Sequence, residues 1–97
     1  MGFIDDINKA FESRVRLGVM SILMVNSSAT YSRLKELLDV TDGNLASHLK
    51  ALEKMEYVLV SKEFVNRKPQ TSYSVSKVGK FAFTKHIDAL EKLLKHD

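Results

Sequence analysis

Three histidines and one glycine-lysine pair are the residues of this chain that could support catalysis or hold a metal or a phosphate. His48, His86 and His96 share no ligand spacing, and the sequence has no cysteine to complete a zinc site. Gly79-Lys80 lacks the glycine five residues earlier that a phosphate-binding loop requires. The sequence also has no serine nucleophile motif, and no acidic pair in a setting that would separate the two pKa values. We therefore expect neither an enzyme nor a bound metal or other cofactor.

Hydrogen-bonding residues occupy one side of a helix predicted at about residues 41–55. Leucines at helical spacing mark its buried stripe: Leu45, Leu49 and Leu52. The opposite side presents small or polar residues: Gly43, Asn44, Ala46, Ser47 and Lys50. Small residues let a helix approach the major groove of DNA, while Asn, Ser and Lys can bond base edges or phosphates. A solvated helix face with no partner is the alternative interpretation of the same pattern.

A basic stretch follows this helix between two alternating runs, residues 57–65 and 71–75, which predict β-strands. The stretch between them, residues 66–70, predicts a five-residue hairpin loop that carries Arg67 and Lys68 beside Pro69. An arginine at such a tip gains from the negative potential of a narrow minor groove. Charged hairpin tips also serve solubility alone, but here the basic tip comes directly after the small polar helix face.

The elements that must position these residues follow from periodicity and capping signals. Helices are predicted over residues 13–25 and 30–38, after a short helix that contains Ile4, Ile7 and Phe11. A last helix is predicted from Lys77 to about His96. The expected N-caps of three helices share a hydroxyl side chain: Thr30, Thr41 and Ser76. Two short helices, a hairpin and a helix make a mostly helical α+β fold, the winged helix-turn-helix with a two-stranded wing.

The last helix has an apolar arc of about 180°, wider than the about 100° of an ordinary surface helix. One stripe contains Val78, Ala82, Ala89 and Leu93, and the adjacent one contains Phe83, Ile87, Leu90 and Leu94. We expect one stripe to pack on the chain itself and the other on a second copy, which predicts a two-fold homodimer. A single helix sunk in a wide groove of its own domain is the alternative. The expected dimer contacts are apolar residues near both ends: Ile4, Ile7, Phe11, Phe83, Ile87, Leu90 and Leu94.

Length and composition narrow the remaining possibilities. Ninety-seven residues predict a single domain over 1–97, with a core at 13–76 flanked by segments 1–12 and 77–97 that join in dimerisation. Fifteen Lys and Arg against twelve Asp and Glu give a net charge of +3, too little to explain DNA binding as a bulk property. No apolar run is long enough to span a membrane, and the acidic start is unlike a secretory signal, so we expect a cytoplasmic protein without a membrane partner.

Two motifs resemble those of small winged-helix transcriptional regulators related to the multiple-antibiotic-resistance (MarR) and arsenical-resistance (ArsR) families. They are Thr-Asp-Gly-Asn-Leu at 41–45 and Arg-Lys-Pro-Gln-Thr at 67–71. The resemblance covers most of the chain and implies a homodimer that binds operator DNA. It departs from the families' pattern at Glu56 and Asn66, where glycine is usual. Without cysteines, metal sensing does not carry over from the arsenical-resistance relatives.

The sequence thus predicts a sequence-specific regulator of transcription that binds double-stranded DNA as a homodimer. The helix at 41–55 would enter the major groove, and the wing at 65–71 would contact the minor groove or the backbone. The residues expected at the DNA are polar, basic or small: Ser32, Thr41, Gly43, Asn44, Ser47, Lys50, Arg67, Lys68 and Thr71. The alternative is a winged-helix module that binds another protein and no DNA, because the same scaffold serves both purposes.

Overall fold

A computed structural model describes residues 3–95 of the chain. These residues form four α-helices and three β-strands. In chain order the elements are α1 (Arg14–Asn26), β1 (Ser28–Thr30), α2 (Tyr31–Leu38), α3 (Asp42–Lys54), β2 (Val58–Val65), β3 (Lys68–Val75) and α4 (Lys77–Lys95). Two short 3₁₀ helices, Phe3–Asp6 and Lys9–Phe11, precede them where one short helix was predicted. The predicted end of the last helix at His96 lies outside the described residues.

The three predicted N-caps are confirmed, and Ser13 caps α1 in the same way, which explains where the helices begin. The side-chain oxygens of Ser13, Thr30, Thr41 and Ser76 each accept a hydrogen bond from the backbone N–H three residues further on, at distances of 2.9 to 3.3 Å. Each cap satisfies one of the backbone donors that a helix N-terminus leaves without a partner. The helix boundaries are therefore set by single hydroxyl side chains.

The sheet is antiparallel with the strand order β1-β3-β2. Strand β1 (Ser28–Thr30) pairs with β3. It was not predicted, because three residues are too few to show an alternating pattern. The hairpin also differs from the prediction. Its turn consists of Asn66 and Arg67 alone, and residues 68–70 continue the ladder as part of β3. Both turn residues have positive φ, 53° and 66°, as a type I′ turn requires.

One cluster of buried side chains forms the core between α1, α2, α3, the sheet and α4. The predicted leucine stripe of α3 lies in it, with Leu45, Leu49 and Leu52 fully enclosed. Phe11 and Phe83 also belong to this cluster, which corrects their assignment to a dimer surface. A side chain enclosed by its own core has no area left for a partner.

The segment before α1 is attached to α4 by aromatic packing and by hydrogen bonds. The ring of Phe11 lies 5.1 Å from that of Phe83 in an edge-on arrangement and 5.3 Å from the imidazole of His86. The backbone N–H of Asn8 donates to Nδ1 of buried His86 at 2.9 Å, and Nδ2 of Asn8 donates to the hydroxyl of Tyr57 at 3.2 Å. His86 accepts through Nδ1, so the neutral ring carries its proton on Nε2.

The end of α3 shows how the chain accommodates Glu56 at a position with left-handed backbone. Glu56 has a φ of 65°, and its backbone N–H donates to the carbonyl oxygen of Glu53 at 2.9 Å. The next N–H, of Tyr57, donates to the carbonyl oxygen of Leu52 at 3.0 Å, which completes a Schellman motif. The hydroxyl of Ser76 donates to the carbonyl oxygen of Glu56 at 2.6 Å. A left-handed backbone conformation costs about 1 kcal/mol for a residue other than glycine. These hydrogen bonds hold Glu56 in that conformation.

The molecule is elongated, with principal extents of 56 × 25 × 21 Å. Its radius of gyration is 14.6 Å, whereas a compact chain of this length would have about 12.5 Å. The hairpin and the C-terminal turns of α4 extend beyond the buried cluster, since most of β2 and residues 91–95 are exposed. None of the helices within residues 3–95 combines the length and the apolar character needed to cross a membrane.

Gly79 is predicted to be irreplaceable in α4, because a Cβ there would lie 2.1 Å from the carbonyl oxygen of Tyr57. We expect Gly79→Ala to lower the free energy of unfolding by about 2 kcal/mol or more, since backbone atoms must move to relieve the contact. Gly43→Ala is the matched control, because a Cβ at Gly43 meets nothing within 4 Å. It should be neutral or stabilise by up to about 1 kcal/mol. Urea unfolding of both variants checks this, and equal effects would contradict it.

Stability is predicted to fall in mild acid because of His86. Burial lowers the pKa of its imidazole from the ordinary 6.5, and the nearby charge of Glu12 offsets this only in part. The unfolded chain therefore binds more protons than the folded chain between the folded pKa and 6.5. The contribution of His86 is complete above that upper value and is lost as the pH falls through the folded pKa. Urea unfolding across this pH range measures the loss, and a profile as steep in His86→Asn would assign it to another group.

Candidate nucleic-acid interface

The exposed side of α3 carries the residues that were predicted to face DNA. Gly43, Asn44, Ser47 and Lys50 are all exposed, on the side opposite the buried leucines. Thr41 is exposed as well, and its oxygen accepts from the N–H of Asn44 at 3.2 Å as the N-cap. The open space around Gly43 means that packing within the chain does not explain the glycine. The N-terminal half of α3 is therefore a polar surface of short side chains that another molecule can approach closely.

The turn between α2 and α3 is fixed by contacts that converge on Asp42. The hydroxyl of Tyr31 donates to the backbone carbonyl oxygen of Asp42 at 3.0 Å and lies 3.2 Å from its Oδ1. Nζ of Lys35 lies 3.1 Å from Oδ2 of Asp42. Burial raises the pKa of Tyr31 above its ordinary value, and the negative charge of Asp42 raises it further. Tyr31 therefore stays protonated and keeps donating, and α2 and α3 remain at a set angle.

A second polar contact attaches α3 to the start of the chain. Nη1 of Arg16 lies 2.9 Å from Nδ1 of His48 on α3, and Nε of Arg16 donates to the carbonyl oxygen of Ala10 at 2.6 Å. An arginine is always protonated and can only donate, so His48 accepts in its neutral form. Partial burial lowers the pKa of His48, and the charge of Arg16 lowers it further. His48 is therefore a half-buried residue that helps to hold α3 in place.

The wing and the start of α2 form a cleft of about 480 Å³. Three of the predicted DNA contacts line it: Ser32 of α2 with Lys68 and Thr71 of β3. Arg67 stands apart from the cleft, in the exposed turn at the tip of the hairpin. The structure thus gathers the predicted residues into two groups, the face of α3 and the cleft, with Arg67 at the far end of the wing.

The cations of this region are available to bind anions. The ion pairs found within residues 3–95 join other side chains, and none of them involves Lys50, Arg67 or Lys68. A lysine or arginine that has no carboxylate partner in the chain can neutralise a phosphate without first giving up an internal contact. In the same part of the chain, no group of three or more histidine and acidic side chains could hold a metal ion.

Sequence reasoning missed the residues that hold the interface in place. Tyr31 and Asp42 are eleven positions apart, and Arg16 and His48 are thirty-two apart, so no local spacing signals either pair. Gln70, which also lines the cleft, was assigned to a loop because the turn was predicted to be longer. A polar residue directly after a cap, such as Tyr31 after Thr30, is the one local sign that was available.

The chain is similar to known proteins over nearly its whole length. The family model of the winged helix DNA-binding domain matches residues 15–94. The uncharacterized protein MJ0432 of Methanocaldococcus jannaschii is 33% identical over 88 residues, which cover 91% of this chain and 96% of that protein. The structure of a transcriptional regulator homologue from Pyrococcus horikoshii matches with a TM-score of 0.88 and 29% identity, covering 98% and 96% of the two chains.

A MarR-family transcriptional regulator from Silicibacter pomeroyi shares the fold at 13% identity, with a TM-score of 0.61 and coverage of 97% of this chain and 68% of that one. These similarities agree with the architecture above, in which a helix-turn-helix precedes a β-hairpin and a long helix. The chain belongs to the winged helix DNA-binding family.

Proposed function

We propose that the protein recognises specific DNA sequences as a homodimer, with α3 of each copy in a major groove. The observation that carries this proposal is the division of α3 into a fully buried leucine face and an exposed face of small and polar residues. A helix enters the major groove only where its side chains are short enough for the backbone to come close, and Gly43 provides that place. The alternative, a module that binds only proteins, is not favoured by membership of a DNA-binding family.

The residues of α3 take different roles in this arrangement. Asn44 can bond N6 and N7 of an adenine together, so it is the residue that discriminates between bases. Ser47 lies one turn further along and can bond either a base edge or a phosphate. Lys50 is long and positively charged, and Thr41 lies at the N-terminus of the helix, so we assign both to the phosphate backbone.

The cleft between α2 and the wing and the tip of the wing complete the proposed footprint. Ser32, Lys68 and Thr71 line this cleft of about 480 Å³, and their hydroxyl and ammonium groups would bond the phosphates of a DNA strand. Arg67 at the tip would enter the adjacent minor groove, where negative potential favours its guanidinium. A regulator that binds chromosomal DNA works where that DNA lies, so we keep the cytoplasm as the proposed location.

The dimer surface is proposed at the C-terminal half of α4 together with the start of the chain. Ile4 and Ile87 are exposed, Leu94 is 88% exposed, and Ile7 and Leu90 are half-buried. Leu93, which lies on the other predicted stripe, is also exposed near the end of α4. A monomer that left these residues in water would lose the free energy of burying them, at about 25 cal/mol per Å². Two copies related by a two-fold axis would cover the same surface on each.

Asn44→Ala should lower the ratio of specific to nonspecific DNA affinity about tenfold, because a bidentate contact to adenine is lost. Duplexes selected from a random pool by the wild-type protein supply the specific probe, and a shuffled duplex supplies the nonspecific one. Asn26→Ala is the control, since it removes an exposed amide of the same type from the end of α1. Equal losses on both duplexes would reassign Asn44 to the phosphates.

Gly43→Ala tests the close approach of α3 by a different route. The added methyl group meets nothing within the chain, so the folded state should be no less stable. The affinity for the selected duplex should nevertheless fall, because the methyl group would occupy the space that the groove needs. Affinity and urea unfolding measured on the same preparation separate the two effects. Unchanged affinity would place DNA elsewhere on the molecule.

Leu94→Asp should convert the homodimer into a monomer, because a carboxylate would be buried in the apolar interface without a partner. The monomer itself should remain folded, since Leu94 makes little contact with its own chain. Val25→Asp is the matched control, because Val25 is 83% exposed at the end of α1 and lies outside the proposed surface. Light scattering at micromolar concentration measures the mass. A wild-type monomer, or a Leu94→Asp dimer, would contradict the proposed surface.

A further inference from the structure

The wing carries an apolar patch that packing within the chain does not explain. Phe64 of β2 is 79% exposed, and its cross-strand partner is the exposed Pro69 of β3. The two lie directly opposite each other, so their side chains project from the same face of the hairpin. Single exposed apolar residues are ordinary on protein surfaces. Here, however, a large aromatic ring and a proline are paired next to the turn that bears Arg67.

Strand periodicity gives the direction in which this patch faces. Phe64 lies on the same face of β2 as Val58 and Val60, because alternate residues share a face. Val58 is buried in the core to which α3 belongs, so Phe64 faces the side of the sheet on which α3 packs. It lies about 20 Å along the strand from Val58. Phe64 therefore stands well away from the core, near the tip of the wing.

Charge identifies the partner that this patch would meet. Arg67 is in the adjacent turn, Lys68 follows it, and Lys62 lies on the same face as Phe64 two residues earlier. Each of these side chains is exposed, and none is in the ion pairs found within residues 3–95. An apolar pair among three free cations fits a partner whose anionic groups flank apolar walls. The minor groove is such a partner, since deoxyribose rings form its walls and phosphates its rims.

We propose that Phe64, supported by Pro69, packs against the deoxyribose wall of the minor groove that Arg67 enters. The inference rests on the proposed contact between the wing and DNA, and it adds an apolar contact made by Phe64. The aromatic ring would set how deeply the wing enters, and Arg67 would supply the charge. Specificity at this position would come from the width of the groove, because sugar contacts do not distinguish bases.

A fluorescent reporter tests the contact directly, because the chain has no tryptophan of its own. In Phe64→Trp, the indole emission should shift to shorter wavelength when a short A·T-rich duplex is added. Leu59→Trp is the matched control, since Leu59 is 56% exposed on the same strand but on its opposite face. Its emission should not change. An unchanged emission of Phe64→Trp, or equal shifts in both variants, would overturn the proposal.

Affinity measurements separate this inference from the proposed function of the wing. Phe64→Ala should weaken binding about fivefold at every salt concentration, because an apolar contact releases no counterions. Arg67→Ala should instead reduce the slope of log affinity against log salt by about 1. Phe64→Leu, which keeps an apolar side chain, should recover part of the loss. If Arg67→Ala weakens binding and Phe64→Ala does not, the wing contacts DNA without Phe64, and this proposal fails alone.

A second copy of the chain is the other molecule that could cover the patch. The emission of Phe64→Trp would then shift with protein concentration in the absence of DNA, and Phe64→Ala would lower the mass measured by light scattering. Either result would overturn the assignment to DNA. We expect neither, because the three cations around the patch would repel their counterparts in a second copy.

Discussion

The burial of one face of α3 is the constraint on which the rest of the structure depends. Once Leu45, Leu49 and Leu52 are enclosed, the helical repeat leaves Gly43 and Lys50 no position except the outside. The core therefore determines the orientation of the residues proposed to face DNA without touching them. The contacts of Tyr31 and Arg16 then restrict the remaining freedom, which is rotation and tilt of the helix relative to α2 and to the start of the chain.

The segment before α1 belongs to the same system. Its Ala10 carbonyl oxygen accepts from Arg16, which also contacts His48 of α3, and its Asn8 donates to His86 of α4. A few residues thus connect the helix proposed to read DNA with the helix proposed to form the dimer. Phe11 anchors the connection in the core, and for that reason it cannot also serve a partner. The position of α3 is thus tied to that of α4 through polar contacts as well as packing.

Local chemistry was predictable from the sequence, whereas pairing between distant segments was not. The caps at Thr30 and Thr41 depend on a hydroxyl and an N–H three residues away, so the sequence shows them directly. Strand β1 exists only because β3 lies beside it, and three residues give no pattern of their own. The turn was predicted too long because Asn66-Arg67 lacks the glycine that usually marks a type I′ turn. The wide apolar arc of α4 was recognised, but Phe83 was assigned to the wrong side because the arc does not show where the core ends.

The base of the hairpin is fixed on both strands, and the rest of it extends into solvent. The N–H of Ser76 donates to the carbonyl oxygen of Tyr57 at 3.0 Å, its hydroxyl donates to that of Glu56, and Gly79 lies against the same backbone. In mechanical terms the wing is a beam clamped at one end. Bending moves its tip far more than its base, so the tip can follow grooves of different width while the core stays undisturbed. In the proposed complex, the fit of the wing to DNA would then depend mainly on the angle at which the hairpin bends from its base.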